Sequence, residues 1–159
     1  MPYLIEIHPK YFILKDSALN MGQIRDIMEK KVITINHDKM VLDAARLMKE
    51  KEISFLVVLK NKEPIGVVTE SDFVRKLAAN DKVASKAPLS EIMSYKFRSV
   101  KSSTEIEVAV QKMLNNKIKR LLVVDEGKLV GVITQTDLTS FLRSKLLIEG
   151  TVENIAEED

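Results

Sequence analysis

Thr69 and Asp72 stand three residues apart in the stretch Ile65-Gly66-Val67-Val68-Thr69-Glu70-Ser71-Asp72. Thr134 and Asp137 keep the same spacing in Val130-Gly131-Val132-Ile133-Thr134-Gln135-Thr136-Asp137, at an offset of 65 from Gly66 to Gly131. Two copies of one strand-to-helix corner suggest two copies of one site. A hydroxyl with an acid three residues later is also a capping pattern: the side chains satisfy the first N–H groups of a helix, and the charge favours its positive end. The alternative is ligand binding, because an ionised carboxylate is a pure acceptor with room for two hydroxyl donors. Such a carboxylate repels phosphate, so a cation must supply any phosphate contact. Lys119 and Arg120 stand together ahead of the second corner, whereas Ser54 and Phe55 hold the matching positions in the first. The planar fork of Arg120 can grip phosphate oxygens in a bidentate manner, with Lys119 as a point charge. Neighbours on a regular strand point to opposite faces, so both can meet one phosphate only if the chain is irregular there, and Arg120 is the favoured one of the two.

Other chemistry is scarce. Cysteine is absent, which removes disulfides and thiolate chemistry, and the only imidazoles, His8 and His37, sit in no metal or triad spacing. Glu105 and Glu107 show no paired arrangement for acid–base work. A net charge of +2 with scattered lysines does not mark a nucleic-acid surface. No apolar run approaches the ~18 residues of a membrane span. Glu6, His8 and Lys10 interrupt any signal-peptide core. The expectation is a soluble, cytoplasmic, non-catalytic protein that needs no cofactor for chemistry and is not a membrane protein.

The elements that must position these residues repeat at the same offset. Residues 1–21 form an N-terminal arm broken at Pro9, with apolar residues expected to pack on the body or on a partner chain. Residues 22–79 form the first repeat, 80–88 a polar linker, 89–145 the second repeat and 146–159 a tail that turns acidic and is expected to fray. In each repeat a short strand carries a hydroxyl residue, Thr34 or Ser99. A helix follows, with Val41, Ala44, Ala45 and Met48 or Ile106, Ala109, Val110 and Met113 at helical spacing. Asp38 and Ser103 are expected to cap these helices. Two near-continuously apolar strands then form a hairpin, ending in the Thr-x-x-Asp corner and a final helix. The order is β-α-β-β-α, an α/β (α+β) arrangement. One such unit is too small to bury a core alone, so the two are expected to pack together. Met28, Met48, Met93 and Met113 fall on the apolar faces as core filler, and Gly66 and Gly131 permit close approach of either packing neighbours or a ligand.

This duplicated order, closed each time by Gly-hydrophobic-hydrophobic-Thr-x-x-Asp, resembles the tandem cystathionine-β-synthase (CBS) domain pair, or Bateman module, over about residues 22–145. The resemblance implies two β-α-β-β-α repeats related by pseudo-two-fold symmetry, with an adenosine-containing ligand (AMP, ADP, ATP or S-adenosylmethionine) in clefts between them. It implies that the corner Asp holds the ribose hydroxyls, that the Thr helps hold ribose or phosphate, and that the opposite repeat lines the adenine side. One cleft would then join Thr134 and Asp137, with Gly131, to Thr34, Ile53 and Phe55. The other would join Thr69 and Asp72, with Gly66, to Ser99, Ile118 and Arg120. Because Lys119 and Arg120 share a repeat with Asp137, they are assigned to the Thr134 cleft, which is expected to be the better of the two. The resemblance also implies a homodimer, to which the arm and Leu146-Leu147-Ile148 could contribute, and a regulated protein target not visible in the sequence. The competing reading is a dimerisation or scaffold module with degenerate clefts, acting through a partner protein.

Overall fold

The computed structural model describes residues 3–8, 11–15 and 20–156, with side-chain surroundings over residues 20–146. An N-terminal hairpin pairs β1 (Tyr3–His8) antiparallel with β2 (Tyr11–Lys15). How the apolar residues of this arm pack lies outside the described residues. The first repeat runs β3 (Thr34–Asn36), α1 (Val41–Lys51), β4 (Phe55–Lys60), β5 (Glu63–Thr69) and α2 (Glu70–Asp72). α2 continues into a π-helical turn, Phe73–Leu77, and a 3₁₀ turn, Ala78–Asn80. The second repeat runs β6 (Ser99–Val100), α3 (Ile106–Asn116), β7 (Arg120–Asp125), β8 (Lys128–Thr134) and α4 (Gln135–Ala156).

Each repeat builds a three-stranded sheet, β3-β4-β5 or β6-β7-β8. In each, the first pair is parallel and the second antiparallel. The central strands are apolar on both faces because one side meets the helices and the other meets the second sheet. Two-residue turns close the hairpins: Asn61 and Lys62 have φ of 51° and 67°, Glu126 and Gly127 of 50° and 77°. Two successive positive φ values suit the right-handed twist of the flanking strands.

The helix starts differ from the sequence expectation. α1 begins at Val41 and α3 at Ile106, each two residues later than capping by Asp38 or Ser103 requires. At α1 the N–H of Met40 donates to the Asp43 carboxylate at 3.0 Å, so an acid inside the first turn takes the capping role. The tail is also more regular than expected, since α4 extends to Ala156; residues 157–159 lie outside the described residues.

Packing crosses the repeat boundary. The core of the first repeat gathers Val41, Ala44, Met48, Leu56 and Val68, but also Ala87, Leu89, Ile92 and Met93 from the segment that leads into the second repeat. The core of the second repeat takes Ile24, with Met21, Ile27 and Met28 packed against it, from the segment that leads into the first. Residues 80–88 are therefore not simply a polar spacer: Ala87 is buried and Ala84 packs on the same core. Backbone bridges fix this exchange. Ser94 pairs with Val67 on β5 and Glu29 with Val132 on β8, and the two bridges are themselves related by the 65-residue offset. A third cluster, Val57, Leu122 and Val132 with Phe55, Val67 and Phe97 against it, joins the two sheets. Met48, Met93 and Met113 are buried and Met28 packs against the core, as core-filling methionines should.

Gly66 and Gly131 serve the exchange. A Cβ at Gly66 would lie 2.7 Å from Met93 Cε and 2.8 Å from the Ser94 carbonyl oxygen. At Gly131 it would lie 2.7 Å from Met28 Sδ and 3.0 Å from the Glu29 carbonyl oxygen. Both glycines have a packing role, since the close neighbour at each is the chain's own lead-in segment. Gly66→Ala is therefore expected to destabilise the fold by ~1–3 kcal/mol through overpacking. Equilibrium urea unfolding checks this as a lower midpoint at unchanged slope.

Candidate functional site

Both Thr-x-x-Asp corners are built as caps. In the first, the N–H and hydroxyl of Thr69 both donate to Asp72 Oδ2, at 2.8 and 3.0 Å. In the second, Thr134 makes the same two bonds to Asp137 Oδ2, at 2.8 and 2.7 Å, and Asp137 N–H returns a bond to the Thr134 hydroxyl at 3.2 Å. Each corner is tied to its own repeat: Glu70 N–H donates to the Ser54 carbonyl and Gln135 N–H to the Lys119 carbonyl. The capping pattern is real, and it uses one oxygen of each carboxylate.

The second oxygens differ. Asp72 Oδ1 is held by Lys76 Nζ at 2.8 Å, and the same ammonium donates to the Ile92 carbonyl at 2.9 Å. Asp137 Oδ1 has no protein partner among the described residues. The residue matching Lys76 in the second repeat is Phe141, which packs on the core instead. Lys76 lies on the π-helical turn after α2, a widened turn of a kind that recurs at functional sites.

Arg120 sits on the pseudo-two-fold boundary. Its guanidinium lies 4.7 Å from the ring centroid of Phe55, and its Nη2 donates to the Ser54 hydroxyl at 3.2 Å. Phe55 and Arg120 are positional twins, so equivalent residues of the two repeats stack on one another as a cation–π pair. Burial lowers the Arg120 pKa from its usual value, while the Glu70 and Asp72 carboxylates act to raise it. The guanidinium remains a cation throughout the ordinary pH range.

A cleft of about 860 Å³ opens beside this pair. Ser54, Phe55, Thr69, Glu70 and Arg75 line it from the first repeat; Arg98, Lys117, Ile118, Lys119 and Arg120 line it from the second. Of the two clefts to which Arg120 was assigned, the cavity lining matches the one with Thr69 and Ile118; Lys119 lines it too, and Asp137 does not. The physical reason is the lean of the Arg120 side chain. Although Arg120 pairs in register with Thr134, its guanidinium crosses onto Phe55, whose own strand partner is Thr69. Phe55, assigned to the Thr134 cleft, lines this cavity as well.

Other expected site residues lie elsewhere. Ile53 lines a smaller cavity of about 490 Å³ with Met48, Glu70 and Phe73. Thr34 pairs with Val57 on β4 and Ser99 with Leu122 on β7, and neither lines these two cavities. Thr134, Asp137 and Gly131 do not line them either. Sequence reasoning missed Arg75, Lys96, Arg98 and Lys117, which the fold gathers around the larger cleft. Their signal was available as charge differences at the 65-residue offset, where Ser140, Ile33 and Glu52 replace Arg75, Arg98 and Lys117. Among the described residues no cluster of His, Asp or Glu could hold a metal ion, and no helix is long and apolar enough to cross a membrane.

Because Asp137 closes a cap, Asp137→Ala should lower stability without any ligand present, by ~1–2 kcal/mol. Chemical denaturation of the ligand-free protein checks this. A residue that only bound ligand would leave that stability unchanged.

Comparison with known proteins agrees with the geometry. The CBS domain family matches residues 24–79 and 89–144. A protein from Methanocaldococcus jannaschii is 34% identical over 115 residues, covering 70% of this chain and 62% of that one; a relative from Methanopyrus kandleri is 32% identical, with 60% of its length covered. The chain thus spans about three-fifths of the length of these relatives. Among solved structures, a hexameric CBS-CP12 protein from bloom-forming cyanobacteria superposes with a TM-score of 0.68 at 31% identity, over 86% of this chain and 84% of that one. The CBS domain pair of protein MJ0100, solved with 5′-methylthioadenosine and S-adenosyl-L-methionine, superposes with a TM-score of 0.69 over 77% of this chain and 97% of that one. At 24% identity that likeness is one of fold. With both halves matched in sequence and in strand order, this chain belongs to the CBS-domain family, as a tandem CBS pair.

Proposed function

We propose that this chain is a non-catalytic regulatory module that binds adenosine-containing ligands in the clefts between its two CBS repeats. The observation that carries this reading is the placement of Arg120: a partly desolvated guanidinium at the repeat boundary, facing a cleft built from both halves. A ligand seated there touches both repeats at once. It can shift their relative pose, or a subunit arrangement, by as much as its affinity differs between the two states. AMP, ADP and ATP are the favoured ligands because phosphate would complete the Arg120 environment. S-adenosylmethionine is a second candidate for the Thr134 corner, where Asp137 Oδ1 is free of protein partners among the described residues. The protein MJ0100 pair illustrates that the fold accommodates adenosine compounds. We further propose a homodimer acting in the cytoplasm on a protein target.

Titration calorimetry with AMP, ADP, ATP and S-adenosylmethionine tests the reading. Affinity is expected to rise with phosphate number. Arg120→Ala should weaken ATP by roughly tenfold or more, since a charged hydrogen bond contributes ~1.5–3 kcal/mol. Unchanged ATP affinity in Arg120→Ala would remove Arg120 from the site. If no adenosine compound raises the melting temperature at millimolar concentration, the scaffold reading replaces this one.

A further inference from the structure

The two Thr-x-x-Asp corners share a backbone plan but differ in the residues around them. Six cations, Arg75, Lys96, Arg98, Lys117, Lys119 and Arg120, line the larger cleft against one acid, Glu70. At the matching positions of the other repeat, Ser140, Ile33 and Glu52 stand in place of Arg75, Arg98 and Lys117, while Lys31 matches Lys96 and Lys51 matches Asn116. Such a concentration of like charge is costly unless an anion neutralises it, and a concave wall of one sign focuses its field into the cleft. The carboxylate at this corner is also engaged. Asp72 Oδ2 takes two bonds from Thr69, and Oδ1 is paired with Lys76, which the Ile92 carbonyl holds in place. A carboxylate so paired offers less to a diol and repels phosphate less than a bare one. At the other corner Asp137 keeps Oδ1 open among the described residues.

We propose that the cleft at the Thr69 corner is a polyphosphate site. It grips a chain of three or more phosphates through its ring of cations, with or without a nucleoside attached, and Lys76 is the residue that turns this corner away from the ribose. The inference rests on the proposed function and divides it: the Thr134 corner reads the sugar, and the Thr69 corner reads the phosphates. A volume of about 860 Å³ is ample for a triphosphate. Phosphate oxygens meet Arg98 and Arg120 from the second repeat and Arg75 from the first, so a chain shorter than a triphosphate would span the boundary less completely.

Calorimetric titrations with sodium tripolyphosphate, ATP and adenosine, on the full chain and on Arg98→Ala and Lys76→Met, test this. Arg98 and Arg75 are exposed, so removing either side chain should leave the fold intact; Arg75→Ala serves as the second cation variant. Tripolyphosphate is expected to bind the unmodified chain at one site, within about tenfold of ATP, and to weaken steeply as salt rises, while adenosine binding stays nearly flat with salt. Arg98→Ala and Arg75→Ala should each weaken tripolyphosphate by about tenfold and leave adenosine unchanged. Lys76→Met should act in opposite directions, weakening tripolyphosphate and strengthening adenosine several-fold. If ATP binds and tripolyphosphate does not, or if Lys76→Met moves both probes the same way, the polyphosphate assignment is overturned while nucleotide binding stands. If neither ATP nor adenosine binds at all, the underlying functional reading fails, and this inference fails with it.

Discussion

The structure depends on one exchange. The segment before each repeat packs into the other repeat, with Ser94 bridged to Val67 and Glu29 to Val132. Without it, each three-stranded sheet would expose the edge of its return strand and leave its helix core without Ile24 or Leu89. A unit of this size buries too little surface to stand alone, and the exchange makes the two halves a single packed body. Gly66 and Gly131 mark the points where the crossing segment comes closest, and neither tolerates a side chain without movement.

From that arrangement follows the position of the clefts. The two sheets meet through Val57, Leu122 and Val132, and at the edge of this contact the twin positions Phe55 and Arg120 stack on each other. A strictly symmetric pair would place two cations, or two aromatic rings, face to face. One of each gives an attractive contact and settles which side carries charge. The Phe55 ring and the Ser54 hydroxyl then hold Arg120 where both repeats reach it.

The corner itself serves structure and binding together. Thr69 and Thr134 orient their aspartates through paired bonds to Oδ2, which stiffens the start of the following helix and points the remaining oxygen. Capping and ligand contact are competing readings of a sequence but not of a carboxylate, which has two oxygens. What distinguishes the corners lies one helical turn further on, where Lys76 pairs with Asp72 and Phe141 turns into the core.

By itself the sequence determined the duplication, the β-α-β-β-α order and most of the core, because these rest on local periodicity and on a 65-residue offset that needs no coordinates. It also marked Thr69, Asp72, Thr134, Asp137 and Arg120 as residues of interest. Only the tertiary structure decided which corner receives the cations, since Arg120 pairs in register with Thr134 yet leans onto Phe55. It alone showed that residues 84–93 belong to the first core and residues 21–28 to the second. It alone gathered Arg75, Arg98 and Lys117, which come from separate elements, into one wall. The physical reason is common to all three. Periodicity reports which face of an element is apolar, whereas the neighbour that covers that face, and the direction a long side chain takes to reach it, are set by packing between segments distant in the chain.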